Sequence, residues 1–411
     1  MDTYLASQVT AAVAAYRDSM VDFTKALVAI PTQNPPGAAY PACARAIADM
    51  VRDLGLDCTV VDVPPDPPLA EGTADPYPRS CVLGSYGGGA RALYFHGHYD
   101  VVPASAATQF EPRVDGGRLF GRGSSDMKGG LAAMVYAVAA LRDAGVPLDG
   151  RVGLAIVPDE ETGGGRGSRY LAEAGLLGRG GIGMLTAEPT SGVVWHASRG
   201  AITLRVTVKG TAAHVGLQHE GVNAFERMLV VAGALRDLKA EVEGRVSAFA
   251  LEPEAARHSI LMLGGQCEGG TNFNVVPATC SFTVERRINP EEDLHAEKAR
   301  LFGVLDRLRA DGIDLDIEIL QEAPSSGSSD DGPLAAALAE SIAAETGRAP
   351  AFEMCPGLLE IRFYARAGMP AYAYGPGLLS VSHGPDEFVE VDKIVTCATI
   401  YARTALRLLG A

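Results

Sequence analysis

Cysteine is sparse in this chain and never closely paired. The seven residues Cys43, Cys58, Cys81, Cys267, Cys280, Cys355 and Cys397 are scattered over 411 positions, odd in number, with no C-x-x-C spacing. That pattern supplies neither a disulfide framework nor a cysteine zinc knot, so they read as reduced core residues. No run approaches about 20 apolar residues, which excludes a membrane-spanning helix. Residues 1–20 lack the basic start and apolar core of a signal peptide and read as an amphipathic helix, so a cytoplasmic location is expected. Positive charge is in deficit: 35 Lys and Arg against 50 Asp and Glu give a net charge of −15. Nucleic acid needs a basic face and is not expected as a partner. The acidity says little about small substrates, which respond to the local field. There is no internal repeat and no low-complexity tail.

What is present fits a globular protein of two domains. The length exceeds one comfortable core, and the 47% apolar and 21% charged content is ordinary for a folded chain. Helical patterns at 21–30 and 40–54 are stopped by Pro31, Pro35 and Pro36 and by Gly55. Residues 56–63 alternate as a strand, and the proline-rich stretch 64–79 reads as an irregular loop and a candidate cover for a site. From about 198 the texture changes to alternating strands (201–208, 259–263, 279–286, 314–320) and two helices (223–238, 291–310), the pattern of an α+β layer. The expected architecture is α/β: a catalytic domain (1–197 and 321–411) with a mostly parallel sheet flanked by helices, and an inserted, smaller α+β domain (198–320).

Side chains suited to metals recur where apolar strands run out. His98 and Asp100 follow the apolar run 91–95, two apart, so they share a face on extended backbone. Metal binding and a plain surface loop are both compatible with that stretch alone. Asp126 precedes an alanine-rich helix (131–144), where it could cap the helix or bind a ligand. The near-continuous apolar strand 151–157 runs straight into Asp159-Glu160-Glu161. Three adjacent acids repel one another, and a cation would account for them. A further apolar strand at 181–185 is followed by Glu188. Three strand–loop units thus deliver metal-type side chains to one edge, where ligands gather in open α/β sheets.

Five segments in this order resemble the M20 family of co-catalytic zinc hydrolases: His98-Tyr99-Asp100, Ser125-Asp126-Met127-Lys128-Gly129-Gly130, Asp159-Glu160-Glu161, Glu188-Pro189 and Ser382-His383-Gly384-Pro385-Asp386-Glu387. Deacetylases and desuccinylases of acyl amino acids, aminoacylase and carboxypeptidases belong to it. The resemblance implies two zinc ions, replaceable by cobalt or manganese, bridged by Asp126. One would also be held by His98 and Glu188, the other by Glu161 and His383. It further implies Glu160 as general base, Asp100 as the orienting partner of His98, and His214 as an oxyanion donor reaching across a homodimer built through the inserted domain. Asn274, Arg287, Gly357 and Leu358 fall at substrate-binding positions. The expected activity is deacylation of a small N-acyl amino acid or related amide, with a dipeptidase or carboxypeptidase, and a non-catalytic binding protein, as rivals. One stretch departs from the pattern. Where relatives carry a small hydroxyl residue and then Asp-x-Arg, this chain has Leu358-Leu359-Glu360-Ile361-Arg362, which counts against a doubly charged succinyl-diaminopimelate substrate. His96 and His196 receive no role.

Overall fold

The computed structural model describes residues 3–70 and 73–411; Met1 and Asp2 of the expected N-terminal helix, and Glu71 and Gly72 of the proline-rich loop, lie outside the described residues. The chain divides into two compact units, one of residues 1–196, 328–352 and 360–411, the other of residues 197–327 and 353–359. The second is larger than the 198–320 segment delimited above, because its last long strand runs on to Ala323 and is followed by a short one at Ser326–Gly327.

In the first unit the sheet order is Asp57–Val63, Arg79–Gly88, Gly150–Val157, Ala92–His98, Gly181–Thr186 and Ala371–Ala373. The sheet is mixed. The central strands pair in parallel, Ala92–His98 with both Gly150–Val157 and Gly181–Thr186, and Ala371–Ala373 with Gly181–Thr186. The first two strands pair antiparallel, one with the other and with Gly150–Val157. All seven residues of Ala92–His98 are buried, which is why the strand begins as a run of apolar and aromatic residues.

Helix Gly129–Asp143 is apolar on every side and buried from Gly129 to Leu141, as expected for a helix with no solvent face. Its alanines keep it thin, and Gly130 lets its start approach the end of the Gly181–Thr186 strand: a Cβ there would lie 2.3 Å from the carbonyl oxygen of Ala187. This packing brings the loop preceding the helix, which carries Asp126, to the carboxyl edge of the parallel strands. The unit also contains helices Thr3–Ala15, Arg17–Val28, Tyr40–Asp53, Pro333–Thr346 and Val391–Leu409 and the short helices Tyr170–Glu173 and Ile361–Arg366.

The second unit is a four-stranded antiparallel sheet in the order Ile260–Gly269, Thr279–Ile288, Gly200–Lys209, Leu315–Ala323. Ile202, Leu204, Val206 and Val208 point into its core against Val231 and Leu235 of helix Ala224–Glu243 and Leu301 and Leu305 of helix Leu294–Ala310. Both helices begin at side-chain caps: Asn223 accepts the N–H groups of Phe225 and Glu226, and Asp293 that of Ala296.

Candidate metal centre

The parallel register sets the site. His98 lies opposite Val157, and His96 opposite Thr186, so the loops leaving the neighbouring strands begin at nearly the same level. His98 and Asp100, Glu160 and Glu161, and Glu188 therefore emerge side by side. Asp126 does not cap the following helix. Its backbone is non-helical, and its carboxylate turns to the two histidines.

His98 Nε2 is 3.2 Å from Asp126 Oδ1 and 3.9 Å from Glu188 Oε2. His383 Nε2 is 3.4 Å from Asp126 Oδ2 and 3.3 Å from Glu161 Oε2. Two three-residue clusters thus share Asp126, each of its oxygens serving one of them. Tetrahedral zinc with bonds of about 2.0–2.1 Å sets its ligand atoms about 3.3–3.4 Å apart, close to three of these four distances. Glu161 Oε1 is in addition buried with no hydrogen-bond partner, an orphan that a cation would satisfy. Two imidazoles and three carboxylates suit zinc, cobalt or manganese. The donor set fits a pair of divalent ions.

Further side chains hold these groups in place. His98 Nδ1 is 3.0 Å from the Asp100 carbonyl oxygen and 3.4 Å from its carboxylate, so it donates there and leaves Nε2 facing Asp126 and Glu188. The Asp100 carboxylate also accepts the N–H groups of Glu160 (3.2 Å) and Glu161 (3.1 Å) and the amide of Asn34 (2.9 Å). Asp159, at φ +66°, turns away from its two acidic neighbours and pairs with Arg79 at 3.1 Å. His383 also has positive φ (+64°), a conformation that non-glycine residues adopt mainly where the surroundings impose it. Buried Glu387 accepts the N–H groups of Gly123, Ser125 and Asp126 at 2.9–3.0 Å and pairs with Arg122 at 2.6 Å. Arg122 in turn donates to the carbonyl of His383, and Gln109 to those of Gly384 and Pro385.

Electrostatics follow from crowding of like charge. Loss of solvation, reinforced by Glu188, Glu161 and Glu360 against the opposing pull of His98, raises the Glu160 carboxyl well above its usual range. Burial lifts Glu188 to about 7 and raises Glu161, each partly offset by a histidine. Burial also pushes Asp126 up, but His383 and His98 outweigh it and hold Asp126 well below the carboxylate range. His383, drawn by Asp126 and Glu161, rises to about 10.

The other expected residues fall in the second unit. His214 and Asn274 come together there: His214 bridges to Val275, and the Asn274 carbonyl accepts the N–H of Val215. His214 is exposed, and its Nδ1 accepts the N–H of Gly216 at 3.1 Å, which places the ring proton on Nε2. Arg287 is half-buried and ion-paired with Glu285 at 2.6 Å. Gly357 donates to Cys355 Sγ and accepts from the Arg199 N–H; Leu358 is half-buried. The proline-rich loop is fastened rather than loose. Asp75 pairs with Arg166, Asp66 with Arg169 at 3.0 Å, and Arg79 with Asp159.

Residues 94–407 match Peptidase family M20/M25/M40. The chain belongs to the M20 family. It is thus a metallohydrolase of amide bonds. This M20 hydrolase is 32% identical over 377 residues to a succinyl-diaminopimelate desuccinylase of Gluconacetobacter diazotrophicus, covering 88% of this chain and 90% of that one. It is 33% identical to the corresponding protein of Acidiphilium cryptum, covering 79% and 85%. The di-peptidase Dug1p of Saccharomyces cerevisiae shares the fold with a TM-score of 0.78 at 16% identity, over 98% of both chains. A dinuclear metal-binding M20 peptidase of Bacillus subtilis does so at 0.67 and 16%, over 96% and 99%. Among the described residues no helix is long and apolar enough to cross a membrane.

Asn34, Gln109, Arg122 and Glu387 were not singled out from the sequence as parts of the site. Glu387 had a signal, since it lies four residues after His383 in the same motif. Asn34 had only its place in an irregular segment between Pro31 and Pro35.

Proposed function

We propose that this M20 hydrolase uses two zinc ions to deacylate a small N-acyl amino acid or related linear amide. The observation that carries the reading is the shared carboxylate: Asp126 presents one oxygen to each of two otherwise separate clusters. The ions would lower the pKa of a bound water toward about 7 and polarise the substrate carbonyl. Glu160 would take the proton from that water and deliver it to the leaving amine. Asp100 would keep His98 in the tautomer whose Nε2 faces the cluster. His214, with its proton on Nε2, would donate to the developing oxyanion, and Asn274 and Arg287 would bind the substrate carboxylate.

The curated relatives bring succinyl-diaminopimelate into the candidate set, and the solved relatives bring dipeptides. Half-buried Leu358 favours an apolar acyl or side-chain contact instead, in which each buried methylene should add ~0.8 kcal/mol. The test is a panel of N-succinyl, N-acetyl, N-formyl and N-carbamoyl amino acids plus dipeptides, assayed with zinc and cobalt, alongside elemental analysis of reconstituted protein. Two equivalents of metal with turnover of acyl amino acids are expected. Full activity at one equivalent would overturn the two-metal reading, and turnover of dipeptides alone would favour the dipeptidase.

We also propose a homodimer through the second unit. Its edge strand Ile260–Gly269 carries exposed Met262, helix Ala224–Glu243 exposes Leu229 and Val230, and Phe273 is 96% exposed. An open strand edge beside apolar side chains is a surface that a second copy would cover. Sedimentation analysis should give a dimer, and Met262→Lys should weaken it.

A further inference from the structure

His96 and Glu360 form a buried pair that the chemistry above does not use. Glu360 is 1% exposed, and its Oε2 lies 2.7 Å from His96 Nε2. The other ring nitrogen of His96 meets the Tyr364 hydroxyl at 3.1 Å. Glu360 and Tyr364 are four apart at the start of helix Ile361–Arg366, so one face of that short helix grips both sides of one imidazole. Tyr364 meets Nδ1, and Nε2 faces both Glu360 and the Ser168 hydroxyl at 3.1 Å, so both ring nitrogens have partners. Glu360 Oε1, in contrast, is buried without a partner. It sits against Gly164, where a Cβ would lie 2.5 Å away and where φ is +71°. A buried carboxylate oxygen left without a partner is costly, and its retention calls for a reason other than stability.

Arg362, two residues beyond Glu360 on the same short helix, reaches the turn that carries Glu160. Its Nη2 donates to the carbonyl of Gly163 at 2.9 Å, and Gly163 N–H closes back on the carbonyl of Glu160 at 2.8 Å. Burial opposes the guanidinium charge, which Glu360 and Glu160 both support. Helix Ile361–Arg366 is therefore fixed to the strand at His96 and, through Arg362, fixes the turn that carries Glu160 and Glu161. An aspartate at 360 would be one methylene short of His96.

We propose that His96 and Glu360 are positioning residues that set Glu160 through Arg362. The inference rests on Glu160 being the general base. Because His96 is close to His98, the main variants are Glu360→Asp and Arg362→Lys, with His96→Gln and His96→Ala as companions, all zinc-loaded. Glu360→Asp should lower kcat at least tenfold on the best amide substrate, with KM within threefold and zinc content unchanged. Backbone hydrogen exchange over residues 159–165 should accelerate at least tenfold. His96→Ala should do the same, the Glu360→Asp/His96→Ala double variant should be no worse than either single, and His96→Gln, which keeps an N–H toward Glu360, should recover most of kcat. Arg362→Lys leaves the pair intact and should reproduce the kcat loss, so the proposal stays testable if a His96 variant fails to fold. Additive losses in the double variant, losses confined to KM or zinc content, unchanged exchange over 159–165, or an Arg362→Lys enzyme with normal kcat would each overturn it. An active Glu160→Gln enzyme would instead bring down the general-base reading, a distinguishable result.

Discussion

Replacing Glu387 with glutamine tests whether the two ligand loops are held by one carboxylate. Each oxygen of Glu387 accepts two hydrogen bonds, from Ser125 and Asp126 N–H on one side and from Gly123 N–H and Arg122 on the other. Glutamine retains one oxygen. Its NH2 must then face a pair of donors whichever way the amide turns, so two of the four contacts become donor against donor. Bonds to a charged group contribute about 1.5–3 kcal/mol each, and stranding a buried partner such as Arg122 costs about 3–5 kcal/mol. These two routes overlap rather than add, and the loss should be about 3–5 kcal/mol in metal-free protein. A chain of ordinary stability would survive that and remain folded for assay. The functional effect should be larger than the stability loss alone implies, because the same groups set the backbone at Asp126 and, through Arg122, the carbonyl of His383. Outer contacts of this kind are worth about 10–100-fold in metal affinity. Urea unfolding of apo protein and zinc competition with a chelator measure the two quantities separately. Glu387→Gln with wild-type zinc affinity would refute the argument even if stability fell, since the loops would then be set by something else.

Glu160→Gln should retain both metals and lose at least ~10²–10⁴-fold in kcat, because an amide cannot accept the water proton; kinetics with elemental analysis decides it. Mixing His214→Ala with Glu160→Ala subunits should restore about a quarter of wild-type activity if each site draws on both chains, since half the dimers are then mixed and each has one intact site. No recovery in dimers verified by mass would remove His214 from the partner's site. Burial lowers the pKa of His196 below its usual 6.5, against the bond from its Nδ1 to Ser328. Below about pH 6.5 the unfolded chain therefore binds more protons than the folded one, and stability should fall as pH drops through that window. The urea midpoint difference between pH 7.5 and 5.5 should shrink in His196→Gln, and an unchanged difference would refute the assignment.

Much of the fold was legible because its signals are local. The helices expected at 223–238 and 291–310 are found as Ala224–Glu243 and Leu294–Ala310, begun by the capping side chains of Asn223 and Asp293. Strands whose pairing depends on distant partners were less visible. Arg79–Gly88 was missed because glycines at 84, 87 and 88 break its alternation, and it becomes a strand only between Asp57–Val63 and Gly150–Val157. The mixed character of the sheet was hidden for the same reason, since strand direction at an edge is set by connections and not by composition.

The site was legible where each residue type has one economical use. A histidine at the end of a buried strand, or two acids where an apolar run stops, costs too much without a partner to be incidental. The residues that position them carry no such mark. Glu387 holds a backbone 261 residues away, and Asn34 reaches Asp100 across 66, distances over which spacing conveys nothing. Glu360 shows the difference most clearly. In the sequence it reads as a lengthened acid in a substrate-contacting stretch, a departure that weakens one substrate assignment. In the fold its side chain is directed at His96, a histidine with no expected role, and the longer acid reaches the imidazole that stands opposite it. Leu359 is buried and Leu358 half-buried, so only the latter retains exposed surface with which to meet a substrate. Any influence of this stretch on acyl preference should therefore reside in Leu358, and Leu358→Thr should shift selectivity toward polar acyl groups while Leu359→Thr mainly lowers stability.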